Sequence, residues 1–166
     1  MKSFLQQGYT LIEILVVLFI ISIVTSIALL TISHNENKQL ATFAQDFTQL
    51  FMLAEEQAIA QSTILGLAIN HQSFQFVSYQ LMQGEKNNYL PLQGLLGPHR
   101  LPHDIQVSLI ANHQAVLLGA QPTHPQVMIL ANGEITPFTF YIGIPGKPAH
   151  YAIHGDVEGN ITQQLL

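Results

Sequence analysis

Glu13 is the residue of this sequence that most needs a chemical explanation, because it opens an apolar stretch that no other charge enters. From Ile14 to Asn35 there is no Asp, Glu, Lys or Arg. A run of about 20 apolar residues is long enough to cross a bilayer as a helix. A carboxylate at that depth must find a cation or take up a proton. Cutting the chain after Gly8 would expose a new amine at Tyr9, one helical turn from Glu13, and would leave the apolar helix in the product. A secretory signal does the reverse, because its small-residue site follows an apolar core of about 7–15 residues. Here Ala28-Leu29-Leu30-Thr31-Ile32 offers no Ala-x-Ala site. A plain one-pass anchor accounts for the apolar run without any cut, but not for the order Gly, aromatic, Thr, Leu, Ile, Glu.

Other residues have ligand or acid–base chemistry, and their spacing argues against a site. Eight histidines include two pairs four residues apart, His99/His103 and His150/His154. Such a pair grips one metal readily only on a helix, and both fall in Pro-rich or strand-like sequence, so surface histidines are expected. Glu55 and Glu56 are neighbours that point about 100° apart on a helix, as expected of a solvated face. Asp156-x-Glu158-x-Asn160 has the oxygen ligands calcium prefers, with a plain turn as the favoured reading. No nucleotide-binding Gly-rich loop, Gly-x-Ser-x-Gly elbow or zinc signature occurs. The expectation is a protein with no catalytic residues, no cofactor and no metal.

The elements that must position Glu13 are legible in the first half of the chain. No Pro or Gly occurs from Tyr9 to Leu65. Beyond the apolar stretch, Leu40, Phe43, Ala44, Phe47, Leu50, Phe51, Ala54 and Ala58 recur at three- and four-residue spacing, which makes one apolar stripe of an amphipathic helix. Together the two parts predict a single helix over residues 9–62, roughly 80 Å long at 1.5 Å per residue. The second half reads as short strands. Ile64–Ile69 and Phe74–Tyr79 flank a turn at Asn70-His71-Gln72-Ser73, and Ile105–Ile110 is a further strand. Gln126–Leu130, Asn132-Gly133 and Glu134–Ile142 read as a hairpin, with Pro137 at an edge or bulge. Ala149–Ile153 is a last strand. Residues 83–104 hold three Pro and three Gly and read as a long irregular connection. A helix stripe facing antiparallel strands is an α+β arrangement.

Composition bounds the partners. The chain has 166 residues, of which 48% are apolar and 9% charged, with a net charge of −5. Loss of Lys2 with a leader would leave four basic residues against ten acidic, or −6. Lys38, Lys86, Arg100 and Lys147 are scattered, and Asn160–Leu166 has no Lys or Arg. This argues against a strong electrostatic grip on nucleic acid. Cysteine is absent, so an exported domain would rely on its core rather than on disulfides.

Gly8-Tyr9-Thr10-Leu11-Ile12-Glu13-Ile14-Leu15-Val16-Val17-Leu18 resembles the class III prepilin signal of type IV pilins and type II secretion pseudopilins. The resemblance implies cleavage between Gly8 and Tyr9 by a membrane aspartyl peptidase, and N-methylation of Tyr9. It places Glu13 fifth in the mature chain, paired with the N-terminal amine of a neighbouring subunit. Tyr9 stands where Phe is usual, the leader has one basic residue, and Leu30 stands where Pro is frequent.

Ala54-Glu55-Glu56-Gln57-Ala58 with Gly66-Leu67-Ala68-Ile69, and Pro125 to Phe138 through Asn132-Gly133-Glu134 and Thr136-Pro137, resemble the H-type minor pseudopilin. H-type members are not generally credited with the C-terminal calcium loop of major pseudopilins. Retention of Glu13 fits the H type rather than the K type. The implied fold is type IV pilin-like: leader 1–8, transmembrane helix 9–32, amphipathic continuation 33–62 and periplasmic antiparallel β domain 63–166. The implied role is a structural subunit at the pseudopilus tip, anchored once in the bacterial inner membrane. Its implied partners are the I-, J- and K-type minor pseudopilins, the major pseudopilin, the prepilin peptidase, the assembly platform and secreted cargo. The alternative is a minor pilin of a type IV pilus, of the FimU pilus-priming or FimT DNA-uptake kind.

Overall fold

A computed structural model of the chain describes residues 10–80, 88–119 and 124–166, with backbone alone at 28–36 and 88. The chain divides into two compact units, Met1–Gln39 and Leu40–Leu166. One helix, α1 (Leu11–Ala60), supplies the described part of the first unit and opens the second.

Hydrogen bonds, not breaker residues, set both ends of α1. Thr10 is the N-cap: its carbonyl accepts from Ile14 N at 3.3 Å, and its hydroxyl accepts from Glu13 N at 3.4 Å. At the other end Thr63 N reaches Ala58 O (3.0 Å) and Ser62 N reaches Ile59 O (3.2 Å), with Ser62 at φ 48°. This is a Schellman closure, with Ser in the left-handed position that Gly usually takes.

In the second unit the apolar stripe of α1 lies against two antiparallel sheets. The first has the order β3 (Asn88–Pro91), β2 (Ser73–Gln80), β1 (Leu65–Ile69), β7 (Val127–Ile129), with β4 (His99–Arg100) also beside β2. The second has the order β10 (Ile161–Leu165), β9 (Ala149–Gly155), β8 (Phe138–Gly143), β5 (Gln106–Ala111), β6 (Gln114–Val116). Leu40, Ala44, Phe47, Phe51, Ala54 and Ala58 are buried, as the expected stripe requires, with Phe43 and Leu50 packed at its margin. The Phe47 ring stacks on Phe140 with centroids 4.3 Å apart and meets Phe74 edge-on at 5.3 Å. Phe51 lies 5.0 Å from Phe138 and 6.1 Å from Phe76. Each of these two rings therefore touches both sheets, and the helix is what joins them.

The expected hairpin through Asn132-Gly133 is corrected. The turn is present, with Gly133 at φ 86° and Leu130 N bonded to Glu134 O at 2.8 Å. Its two arms, however, belong to different sheets. β7 pairs with β1, and the following segment returns only as far as an isolated bridge between Ile129 and Ile135. Pro137 has no N–H to continue a ladder, and after it the chain enters the other sheet as β8. The connection expected to be irregular over 83–104 holds β3, a 3-10 turn at Gly94–Leu96 and β4 in its described part. β6 and β10 lie outside the expected strands, because three residues are too few to show a period and Ile161–Leu165 does not alternate.

Candidate functional site

The described site begins at Thr10. Glu13 is the third residue of α1, and its N–H is shared between the Thr10 carbonyl (3.1 Å) and hydroxyl (3.4 Å). This position lies within the first turn, where the helix macrodipole favours a negative charge. Thr10 is a positioning residue that the sequence reading above omits. Its signal was nevertheless present, since Thr-x-x-Glu before an apolar run is the sequence pattern of a capping box. Gly8 and Tyr9, the expected cleavage and methylation positions, lie outside the described residues.

In the helix that follows, the described apolar side chains up to Ile27 are exposed. Leu11 is 84% exposed and Phe19 63%. Its hydroxyls are turned back on the helix: Ser22 donates to Phe19 O (2.8 Å), Thr25 to Ile21 O (2.7 Å) and Ser26 to Ser22 O (2.8 Å). The polar side chains described between Ile14 and Ile27 are thus satisfied without water, which is what a lipid environment demands. Among the described residues no helix is long and apolar enough to cross a membrane. The side chains described in this stretch end at Ile27, and the expected span to residue 32 continues into positions whose side chains lie outside the described residues.

The other candidate groups lie in the second unit and serve local structure. His99 stacks on Phe74 at 5.0 Å, and its Nε2 lies 2.8 Å from Leu95 O. His150 packs edge-on against Tyr151, and His154 Nδ1 lies 3.0 Å from Thr139 Oγ1. His154, Asp156 and Asn160 line a shallow cleft with His113. Among the described residues no group of three or more His, Cys, Asp or Glu is placed to hold a metal ion. Both Asp156 oxygens accept from Asn160, Oδ1 from its N–H (3.0 Å) and Oδ2 from its amide (2.9 Å). The side-chain bond from Asn160 is the main reason that the Asp156 carboxyl sits below its ordinary range.

Glu55 departs from the expected solvated face. Two turns close over it at Gly133 (φ 86°) and Gly159 (φ 89°), and a Cβ placed on Gly159 would lie 2.5 Å from Glu55 Oε1 and 2.7 Å from Gly133 O. Burial, and then the charge of Glu56, push the Glu55 carboxyl above its ordinary value.

Residues 4–29 match the prokaryotic N-terminal methylation motif, and residues 44–159 match the type II transport protein GspH family. The chain is 26% identical over 143 residues to type II secretion system protein H of Pseudomonas aeruginosa, covering 80% of each chain. To the protein of the same name from Escherichia coli K12 it is 28% identical over 146 residues, covering 85% of this chain and 83% of the other. Its fold is that of the minor pseudopilin EpsH of Vibrio cholerae, with a TM-score of 0.63 at 20% identity over 76% of this chain and 95% of the other. The solution structure of E. coli GspH superposes with a TM-score of 0.58 at 20% identity, over 74% and 84% of the two chains. With its methylation motif at the start of α1 and the family match running through the helix stripe and both sheets, the chain belongs to the GspH family, the H-type minor pseudopilins of type II secretion.

Proposed function

We propose that this chain is a structural subunit at the tip of the periplasmic pseudopilus, where it helps initiate assembly for export of folded proteins across the outer membrane. The observation that carries the reading is the start of α1. A capped helix holds Glu13 in its first turn, next to exposed apolar side chains whose neighbouring hydroxyls are already satisfied. A surface of that kind is stable only against lipid or other helices.

A prepilin peptidase cleaves between Gly8 and Tyr9 and methylates the Tyr9 amine. Residues 9–32 then anchor the subunit once in the inner membrane, with the domain in the periplasm. When the subunit leaves the membrane, its Glu13 accepts the Tyr9 amine of a neighbour. Two charges taken out of water offset their desolvation only in close, well-oriented contact, so the pairing fixes the register between subunits. The chain performs no catalysis. The work of assembly comes from an ATPase acting through the membrane platform, and the I-, J- and K-type and major pseudopilins are its neighbours.

The test is a clean deletion of the gene, with extracellular enzyme release, DNA uptake and surface piliation assayed in parallel. Loss of secretion with uptake and piliation intact is expected. Loss of uptake or piliation with secretion intact would reassign the subunit to a type IV pilus.

A further inference from the structure

The outer face of the second sheet carries side chains that the core does not use. Ile110 on β5 pairs with Thr139 on β8, Thr139 with His154 on β9, and His154 with Thr162 on β10. Directly paired residues project to the same face of a sheet, and the flanking Phe138, Phe140 and Ile153 are buried on the other. The row therefore crosses four strands, about 14 Å at the usual strand spacing. Two residues along, Ser108, Tyr141, Ala152 and Gln164 make a second row by the same pairing. The five strands of this sheet contain no Asp, Glu, Lys or Arg.

Over the first row lies a cleft of about 280 Å³. One wall is the β5–β6 turn, where Asn112 and His113 are both left-handed, at φ 49° and 63°. This is a type I′ turn, whose second position Gly usually takes. His113 there carries backbone strain, a feature that concentrates at ligand sites. Asn112 N donates to Pro137 O at 2.9 Å and ties the wall to the start of β8. The other wall is the β9–β10 turn, where Asn160 occupies both carboxylate oxygens of Asp156, at 3.0 and 2.9 Å. Among the described residues no Lys or Arg lines the cleft. Inside it His154 Nδ1 lies 3.0 Å from Thr139 Oγ1, which leaves Nε2 for a further partner.

Charge and hydrogen bonding together select the ligand. A phosphate or carboxylate would meet the Asp156 charge and no cation. A metal ion would meet a carboxylate already engaged, and no three His, Cys, Asp or Glu among the described residues are placed to hold one. A peptide held by its backbone needs a free strand edge, and this is a face. What fits is a neutral molecule whose hydroxyls both donate and accept, with a C–H surface to lie on Ile110 and Pro137. A sugar ring has both. We infer that the cleft binds one neutral sugar residue of a glycan: Thr139, His154 and Thr162 bond its hydroxyls, and His113 closes the side. The volume is at the small end for ligand clefts, which suits a single ring. In the second row the Tyr141 ring and the Gln164 amide offer a stacking surface and a hydrogen-bonding group to the next residue of the glycan.

The test is an amide NMR titration of the isotope-labelled full-length chain in phosphocholine detergent micelles. The probes are two neutral oligosaccharides, maltotetraose and tetra-N-acetylchitotetraose, and the anionic tetragalacturonate. A saturable shift of the Thr139, His154 and Thr162 amides by a neutral probe in the millimolar range is expected, with none from tetragalacturonate. Which neutral probe binds separates a plain glucan from an acetamido-bearing glycan as the source of the sugar. Thr139→Val keeps the side-chain shape and is expected to weaken binding about fivefold, the loss of one hydrogen bond. His113→Gly relieves the strained turn, so it is expected to melt no lower than the parent while binding more weakly. Gln93→Ala, in the connection after β3 of the other sheet, is expected to bind as the parent does. The proposal is overturned if neither neutral probe moves these amides, if tetragalacturonate binds equally, or if Thr139→Val and His113→Gly both keep the parent affinity.

Discussion

A carboxylate three residues into a helix interacts favourably with the exposed N–H groups of the first turn, and at Glu13 that interaction coincides with the edge of an apolar stretch. Two roles are therefore separable at this one position. Thr10→Ala removes the side-chain cap, at a cost of about 1 kcal/mol to the helix start, but leaves the charge. The expected outcome is normal processing with a modest loss of pseudopilus incorporation. Glu13→Val keeps the cap and deletes the charge, so processing should persist while incorporation is strongly impaired; pseudopili assembled at the normal level by this variant would refute the pairing mechanism. Gly8→Ala should leave the leader attached, seen as a slower-migrating band in a peptidase-positive host. Gly8, Tyr9 and Glu13 stand out in the sequence because their chemistry depends on order along the chain. The Thr10-x-x-Glu13 pattern carries the signal of a cap, and the 3.4 Å bond from Glu13 N to the Thr10 hydroxyl realises it.

At the scale of elements, the helix stripe follows from local periodicity, but the assignment of strands to sheets does not. Phe47 and Phe51 each touch a ring from both sheets, so truncating either loosens two interfaces together. Phe47→Ala is expected to cost about 3–5 kcal/mol, read as a lower urea midpoint; a loss below about 1 kcal/mol would mean that the stack on Phe140 is dispensable. Gly159→Ala meets two obstacles, a positive φ of 89° and the Gly133 carbonyl 2.7 Å from the new methyl. The left-handed conformation alone costs about 1–2 kcal/mol for a residue with a Cβ. An unchanged melting temperature for this variant would show that the β9–β10 turn can shift away from α1 freely. The mistaken hairpin belongs to the same scale. A Gly-containing turn between two apolar runs is a strong local signal, yet Pro137 ends the first sheet's ladder and sends the chain into the second.

At the scale of the whole molecule, two carboxyls among the described residues shift in opposite directions. Asp156 is held below its ordinary value, so its contribution to stability is present above the unfolded value of 3.8 and is lost as the pH falls through the folded one. Glu55 is raised above 4.5, so the folded state binds that proton more readily and loses stability as the pH rises through the folded value. Glu55→Gln is therefore expected to melt higher than the parent at neutral pH, with the advantage vanishing below 4.5; melting curves at the two pH values decide it. The sequence by itself determined one charge at the mouth of an apolar run, a helix with one apolar stripe, and a domain without disulfides. These are properties of residue order and period, which a one-dimensional reading captures. Tertiary structure alone decided that Glu55 is covered by the turns at Gly133 and Gly159, and that β7 and β8 part company at Pro137. Each of these depends on which distant segments share a sheet or a contact, and that is set by packing of the core around α1 rather than by any local pattern.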